Sequence, residues 1–185
     1  LKSKKGAPGE LILAYMGILR SLGITCDPVL IGSKGYGRSE PVAFPFLNQF
    51  DEILLLANLD GQLQFLDLSD PLAPFGYVDL DKHVKAGLLL QKNLSKLIPI
   101  QIRHNSNTVV FSSISFKEDT GELIMDNTLR SFQYAGLKTA RFSERLKKNG
   151  DPLTKLFQES IEETEIRNVT VDNKLAENNF FSTNY

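Results

Sequence analysis

The apolar positions near the start of the chain predict a helix over residues 8–22, whose sequence is PGELILAYMGILRSL. Pro8 suits the first helical turn, Glu10 suits the positive end of the helix dipole, and Gly23 is a common helix stop. Apolar side chains lie almost all round this helix. We therefore expect it to be buried between other layers, as the central helix of its domain.

A strand, a loop and a hairpin are predicted next. Residues 28–32 (PVLIG) favour a short strand, and the Gly-rich stretch GSKGYGRSEP favours a loop. Residues 52–58 and 62–68 flank Asp60-Gly61, a dipeptide typical of tight hairpin turns, so they predict two antiparallel strands. Residues 71–76 are expected to be irregular. Residues 80–97 are compatible with two alternatives, one short helix or strands broken by Gly87.

The pattern changes around Pro99 to polar residues that alternate with apolar ones, which predicts a second unit built on a β-hairpin. Its first strand carries Val109 and Phe116, its turn lies at 119–121, and its second strand covers 123–134. Helices are predicted over 137–150 and from Asp151 onward, and a strand over 166–171. The final FFSTNY predicts one more strand, whose partners we expect outside this chain.

Composition narrows the classes of function. The chain has 185 residues, a net charge of −1 and 42% hydrophobic residues, which predicts a folded core and disfavours nucleic-acid binding. Its apolar runs are far shorter than the ~20 residues of a membrane span, so no transmembrane segment is predicted. The single cysteine excludes an intrachain disulfide. Because the first residue is Leu, we expect a piece excised from a longer protein.

The segments KKGAPGELILAYMGILRSLGI, PVLIGSKGYG, FDEILLLANLDGQLQFLDLSD and PLAPFG together resemble the transglutaminase-like, or papain-like, domain, over residues 4–76. The resemblance implies an α+β fold in which a buried helix packs on an antiparallel sheet, followed by a smaller β-rich unit with one or two helices. It assigns residues 1–98 to the transglutaminase-like domain, as the C-terminal core part of one. Residues 99–185 form the β-rich unit, whose completeness the sequence leaves open.

In that family a Cys begins the central helix, a His begins the first hairpin strand, and an Asp ends the second. The resemblance places these positions on Pro8, Glu52 and Asp67. Pro8 offers no nucleophile, and Glu52 replaces the imidazole that would activate one. The resemblance therefore implies a degenerate triad, with no catalytic residue and no cofactor.

Relatives of this kind are multi-domain bacterial envelope proteins, so the resemblance implies a periplasmic or secreted location. It favours a non-catalytic module with a binding or structural role and a protein or peptide partner. Tyr36, Arg38 and Phe44, in or beside the Gly-rich loop, are the candidate binding residues. A peptide strand added beside the 52–68 hairpin is one form such a partner could take.

The alternative is a hydrolase or acyl transferase that acts on peptide or amide bonds through Cys26 or the Glu52 and Asp67 carboxylates. Against it, Cys26 is expected to pack as a small apolar side chain. His83 and His104 are expected to be solvated, and no metal-ligand spacing is visible, so no metal site is predicted. The oligomeric state stays open.

Overall fold

The computed structural model describes residues 8–36, 42, 47–103, 105–157, 165–178 and 180–185. The chain divides into two compact units. Unit 1 comprises Leu1–Pro71 and Phe75–Arg103, and unit 2 comprises Leu72–Pro74 and His104–Tyr185. Both units contain an antiparallel sheet and few helices, so the expected α+β class is confirmed.

Among its described residues, unit 1 contains one α-helix and a five-stranded antiparallel sheet. Its elements are α1 (Pro8–Ser21), β1 (Cys26–Ile31), β2 (Glu52–Leu59), β3 (Gln62–Leu66), β4 (Ala86–Leu89) and β5 (Lys96–Pro99). The strand order is β3-β2-β1-β4-β5, so β1 is central and pairs with both β2 and β4. The boundary predicted after residue 98 lies inside β5.

The predicted helix, first strand and hairpin of unit 1 are confirmed. Asp60 and Gly61, between β2 and β3, have φ angles of 50° and 85°, as a tight hairpin turn requires. Gly87 does not break a strand, because it lies inside β4 against β1. A Cβ atom there would come within 2.8 Å of Val29 and Ile31 side-chain atoms, so the close approach of β4 requires glycine.

Two hydrophobic clusters lie on opposite faces of this sheet, because alternate residues of a strand point to opposite sides. One cluster joins α1 to the sheet and comprises Ile12, Leu19, Cys26, Leu55, Ala57 and Leu66. The other comprises Val29, Ile31, Leu54, Phe65, Val78, Val84, Leu89 and Ile100. The second cluster is covered by the segment between β3 and β4 rather than by a helix.

The prediction that α1 is buried on all sides is wrong. Ile12 and Leu19 are buried against the sheet, but Leu11, Ile18 and Leu22 are 45%, 56% and 70% exposed. These three residues share one side of the helix, since a spacing of four or seven returns to the same face. Part of the wide apolar arc of α1 is therefore exposed. The sequence alone does not distinguish an exposed apolar side from a second buried side.

Unit 2 is a four-stranded antiparallel sheet with one long helix. Its elements are β6 (Ser106–Lys117), β7 (Glu122–Phe132), α2 (Gln133–Asn149), β8 (Thr170–Lys174), α3 (Leu175–Asn178) and β9 (Phe180–Asn184). The strand order is β6-β7-β9-β8. Leu137, Ala140, Leu146, Leu175 and Phe181 are its buried hydrophobic residues.

The long hairpin and the Gly150 stop of α2 are confirmed, and Gly150 adopts the left-handed conformation at the helix end. Four other predictions for unit 2 are wrong within the described residues. α2 begins at Gln133, and Leu153–Leu156 form a 3₁₀ turn instead of the start of a full helix. The strand predicted over 166–171 begins later, and is β8 at Thr170–Lys174. The last strand, β9, finds its partners inside the chain, in β7 and β8.

Candidate functional site

Lys82 is the centre of the charged cluster that contains two of the predicted site residues. Its ammonium Nζ lies 2.9 Å from Asp67 Oδ1 and 3.3 Å from Glu52 Oε2, and it donates a 3.1 Å hydrogen bond to Ser69 Oγ. The Lys82 side chain is 7% exposed, the Asp67 side chain 5%, and the Glu52 side chain 36%. The cluster is therefore a buried cation between one buried and one partly exposed carboxylate.

Three separate elements bring these groups together. Glu52 begins β2, and Asp67 directly follows β3, the strand antiparallel to β2. Lys82 ends a short 3₁₀ turn, Leu80–Lys82, in which the Asp81 N–H donates a hydrogen bond to the Asp79 carboxylate. Val78 and Val84, on either side of this turn, are buried in the hydrophobic cluster on the sheet and so fix the position of the turn.

The cluster lies on the sheet face opposite to α1. Glu52 is two residues before Leu54, and Asp67 is two residues after Phe65, so both share the face of the cluster that Val78 and Val84 cover. The helix that begins at Pro8 packs through Ile12 and Leu19 on the other face. Of the three triad positions, the structure thus joins Glu52 and Asp67 through Lys82, and it packs the helix of Pro8 on the far side of the sheet.

The surroundings of Asp67 favour its charged form. Burial by itself would raise the pKa of this carboxyl. The backbone N–H of Asp79, the Lys82 ammonium and the contacts with Ser69 outweigh burial and hold the pKa of Asp67 below its ordinary value. Both carboxylate oxygens are used, because Oδ2 accepts the N–H of Asp79 at 3.1 Å and Oδ1 that of Ser69 at 3.0 Å. Asp67 is therefore an anchored carboxylate.

A cavity of about 320 Å³ lies beside this cluster, lined by Leu30, Phe50, Asp51, Glu52 and Ile53. Its two carboxylates already have partners. Asp51 accepts hydrogen bonds from the N–H and hydroxyl of Ser33, at 2.7 and 2.6 Å, and Glu52 contacts Lys82. Another cavity, of about 460 Å³, belongs to unit 2 and is lined by uncharged residues: Asn105, Ser106, Asn107, Phe132 and Gln133.

Of the three candidate binding residues, the structure describes Tyr36. Tyr36 lies in a 3₁₀ turn, is 48% exposed, and its hydroxyl donates to the Asn48 carbonyl at 3.2 Å. Arg38 and Phe44 lie outside the described residues. Tyr36 is therefore an exposed aromatic residue whose hydroxyl is fixed by a hydrogen bond. That it binds a partner together with Arg38 and Phe44 stays a prediction.

Cys26 is the first residue of β1 and is 4% exposed within the α1 cluster. Its Sγ lies 3.7 Å from the Met16 carbonyl oxygen. The expected packing role agrees with this burial. An acyl-transfer nucleophile must instead reach its substrate as a thiolate in a partly exposed, electropositive setting.

The prediction that His83 is solvated is wrong. His83 is half-buried, and its Nε2 lies 3.0 Å from the Val78 carbonyl oxygen. A ring nitrogen at that distance from a carbonyl is the donor, which makes Nε2 the protonated position when the ring is neutral. His104, the second histidine, lies outside the described residues.

Sequence reasoning missed Lys82 and Ser69. Lys82 stands fifteen positions after Asp67 in the charged run DKHVK, a context typical of a solvated lysine. The sequence offers one indication of its burial. Lys82 alternates with Val78, Leu80 and Val84, so in an extended strand its side chain would point to the same side as theirs.

No family model, curated protein or solved structure matches this chain. Within the described ranges, no three His, Cys, Asp or Glu side chains are grouped as a metal site would need. The helices found in those same ranges are too short or too polar to cross a bilayer.

Proposed function

We propose that the chain is a non-catalytic module with a degenerate transglutaminase-like core and a binding or structural role, and that it belongs to a bacterial envelope or secreted protein. The observation that carries the absence of catalysis is the position of Lys82. With its ammonium between Glu52 and Asp67, the two carboxylates neutralise a buried cation. A pair of carboxylates can share acid and base roles when their pKa values are pushed apart and one is raised, whereas the pKa of Asp67 is lowered.

Two further observations support this proposal. Cys26 is buried beneath α1, on the sheet face opposite to Glu52 and Asp67, so the thiol and the carboxylates cannot form one site. The exposed side of α1, with Leu11, Ile18 and Leu22, gives unit 1 an apolar surface of the kind that contacts a partner or a neighbouring domain.

A turnover assay tests the absence of catalysis. The purified chain is incubated with casein and a fluorescent primary amine to detect cross-linking, and with a fluorogenic casein to detect hydrolysis. We expect the chain, Cys26→Ala and Glu52→Gln all to give the buffer rate. Turnover that Cys26→Ala or Glu52→Gln abolishes would establish the hydrolase or acyl transferase instead.

Thiol labelling provides an independent measurement. A disulfide reagent should react slowly with native Cys26 and rapidly after denaturation, because the thiol is buried. Ser95→Cys, at an exposed position between β4 and β5, is the positive control for rapid labelling in the folded chain. If native Cys26 reacted as fast as the cysteine placed at position 95, the argument from burial would fail.

A further inference from the structure

β6 is a long outer strand whose side chains are exposed on both faces. It spans twelve residues and all twelve are exposed. Among the described residues its ladder partners all belong to β7, so β6 forms one edge of the four-stranded sheet. In an antiparallel ladder every second residue directs its N–H and C=O away from its partner strand. The free side of β6 therefore presents backbone groups that an additional extended strand can pair with.

The two edges of this sheet differ in the protection that their sequences provide. Soluble proteins usually guard an edge with charges, Pro, bulges or a very short strand. The opposite edge, β8, has five residues and carries Asp172 and Lys174. β6 contains no Pro, and its one charged residue is Lys117 at its end. The longer edge is thus the one without protection, which indicates that another strand covers it.

We infer that this strand is β6 of a second copy of the chain, paired antiparallel about a two-fold axis perpendicular to the sheet. This inference goes beyond the proposed function, since it concerns unit 2 and does not depend on the turnover assays. A symmetric pair needs a self-complementary surface. Because its one charged residue is Lys117 at its end, β6 meets little electrostatic opposition from its own copy.

The symmetry restricts the register of the two strands. Rotation about an axis perpendicular to the sheet does not exchange the two faces of the sheet. A residue of β6 must therefore lie opposite a residue whose side chain points to the same face. Two registers then give the greatest overlap of β6 with itself, one centred on Phe111 and one on Ser112. Centring on Ser112 places Val110 opposite Ile114 of the other copy, whereas centring on Phe111 places Ile114 opposite Thr108. We assign the Ser112 register because it forms two Val110–Ile114 pairs, whereas the Phe111 register forms one apolar pair, that of Phe111 with its own copy.

The side chains fit this register on both faces. On the face of Val110 and Ile114, Phe116 meets Thr108 of the other copy. On the opposite face, Phe111 meets Ser113 and each large side chain faces a small one, as close packing requires. Ile114, Phe116, Leu123 and Met125 are 59%, 62%, 63% and 43% exposed in one chain. Ile114 pairs with Met125 and Phe116 with Leu123 across the hairpin, so the dimer would extend an apolar patch already present.

Cysteine cross-linking tests the register directly. Ser112 would lie opposite its own symmetry mate, and opposed Cβ atoms in a sheet are about 4.5–5.5 Å apart, close to the separation in a disulfide. Ser112→Cys should therefore form a covalent dimer under mild oxidation. Ser115→Cys, on the same strand, should not, because the two copies of position 115 would be six residues apart, roughly 20 Å. Cys26 is buried and should not contribute.

Equilibrium sedimentation of the whole chain tests the dimer itself. We expect a reversible dimer, and Ile114→Lys should raise its dissociation constant by about tenfold or more, since both copies then bury a lysine against Val110. Leu63→Lys, at a 68% exposed position of β3, is the matched control and should leave the dissociation constant unchanged. Circular dichroism confirms that each variant is folded.

Three results would overturn the inference. The first is a folded chain that stays monomeric at every concentration, including one that instead binds a foreign extended peptide at β6. The second is cross-linking of Ser115→Cys as fast as of Ser112→Cys. The third is a dimer that Ile114→Lys weakens no more than Leu63→Lys does.

Discussion

Lys82 is a buried cation whose charge is compensated by the carboxylates around it. Its ammonium contacts Asp67 at 2.9 Å in a 7% exposed position, so removing the cation leaves Asp67 charged, buried and without its partner. We predict that Lys82→Met lowers the free energy of unfolding of unit 1 by about 3–5 kcal/mol. Urea unfolding followed by circular dichroism measures this change.

Two control substitutions separate the buried pair from general effects. Glu52→Gln should cost less than about 1 kcal/mol, because Glu52 is 36% exposed and solvent screens its attraction to Lys82. Lys92→Met, at an exposed position, should change little. Equal losses from Lys82→Met and Lys92→Met would contradict the assignment of Lys82 to a stabilising ion pair.

The lowered pKa of Asp67 predicts a pH dependence with a definite sign. In the folded chain the carboxyl holds its charge at pH values where the unfolded chain, with a pKa of about 3.9, already binds a proton. Asp67 therefore contributes stability above that pH, and the contribution is lost as the pH falls through the folded pKa. We expect the difference in unfolding free energy between the native chain and Asp67→Asn to be constant near neutrality and to shrink below about pH 4.

The same comparison with Asp60→Asn provides the control for that pH series. Asp60 is exposed in the turn between β2 and β3, at a positive φ that asparagine also tolerates. The Asp60→Asn series measures the effect of replacing an exposed carboxylate, and it is subtracted from the Asp67→Asn series. A pH-independent difference for Asp67→Asn would show that its carboxyl is not held in the charged form.

At the scale of elements, two helical glycines have opposite roles. In α2, a Cβ atom on Gly136 would come within 2.4 Å of the Ser131 carbonyl oxygen and 2.8 Å of Leu175, so the helix start lies directly on β7. We predict that Gly136→Ala lowers the stability of unit 2 by about 1–3 kcal/mol through overpacking. In α1, nothing lies within 4 Å of a Cβ atom at Gly17. Gly17→Ala should raise the stability of unit 1 by about 0.5–1 kcal/mol.

Thermal unfolding of the two alanine variants measures both changes. Their opposite signs are the test, because helix propensity alone would make both substitutions stabilising. A stabilising Gly136→Ala would mean that α2 can move away from β7 without loss of packing.

The elements that sequence predicted well are those with local signals. The β2–β3 hairpin depends on Asp60-Gly61, and the end of α2 depends on Gly150, so neighbouring residues suffice to locate them. The exposed side of α1 and the approach of β4 to β1 depend on what packs against each residue. Lys82 is similar, since its partners are fifteen and thirty residues away along the chain. The alternation around Lys82 indicates at most that its side chain faces the core and identifies none of its partners. Of this cluster, only Glu52 and Asp67 could therefore be predicted from the sequence.

At the scale of the whole molecule, each unit has its own sheet and its own set of buried hydrophobic residues. We predict two thermal transitions in a calorimetric scan of the chain. Lys82→Met should lower the temperature of one transition, and Gly136→Ala should lower that of the other. A single transition that both substitutions shift would show that the units unfold as one cooperative body.

The strand order of unit 2 also governs when that unit can fold. β9 lies between β7 and β8, so β8 has no neighbour until residues 180–184 are in place. The 106–132 hairpin can form early from local contacts, but closing the sheet brings together segments far apart in sequence, which slows folding. During synthesis on the ribosome, the hairpin would therefore fold first. Its outer strand, charged only at Lys117, would stay open to neighbouring nascent chains until β9 has emerged.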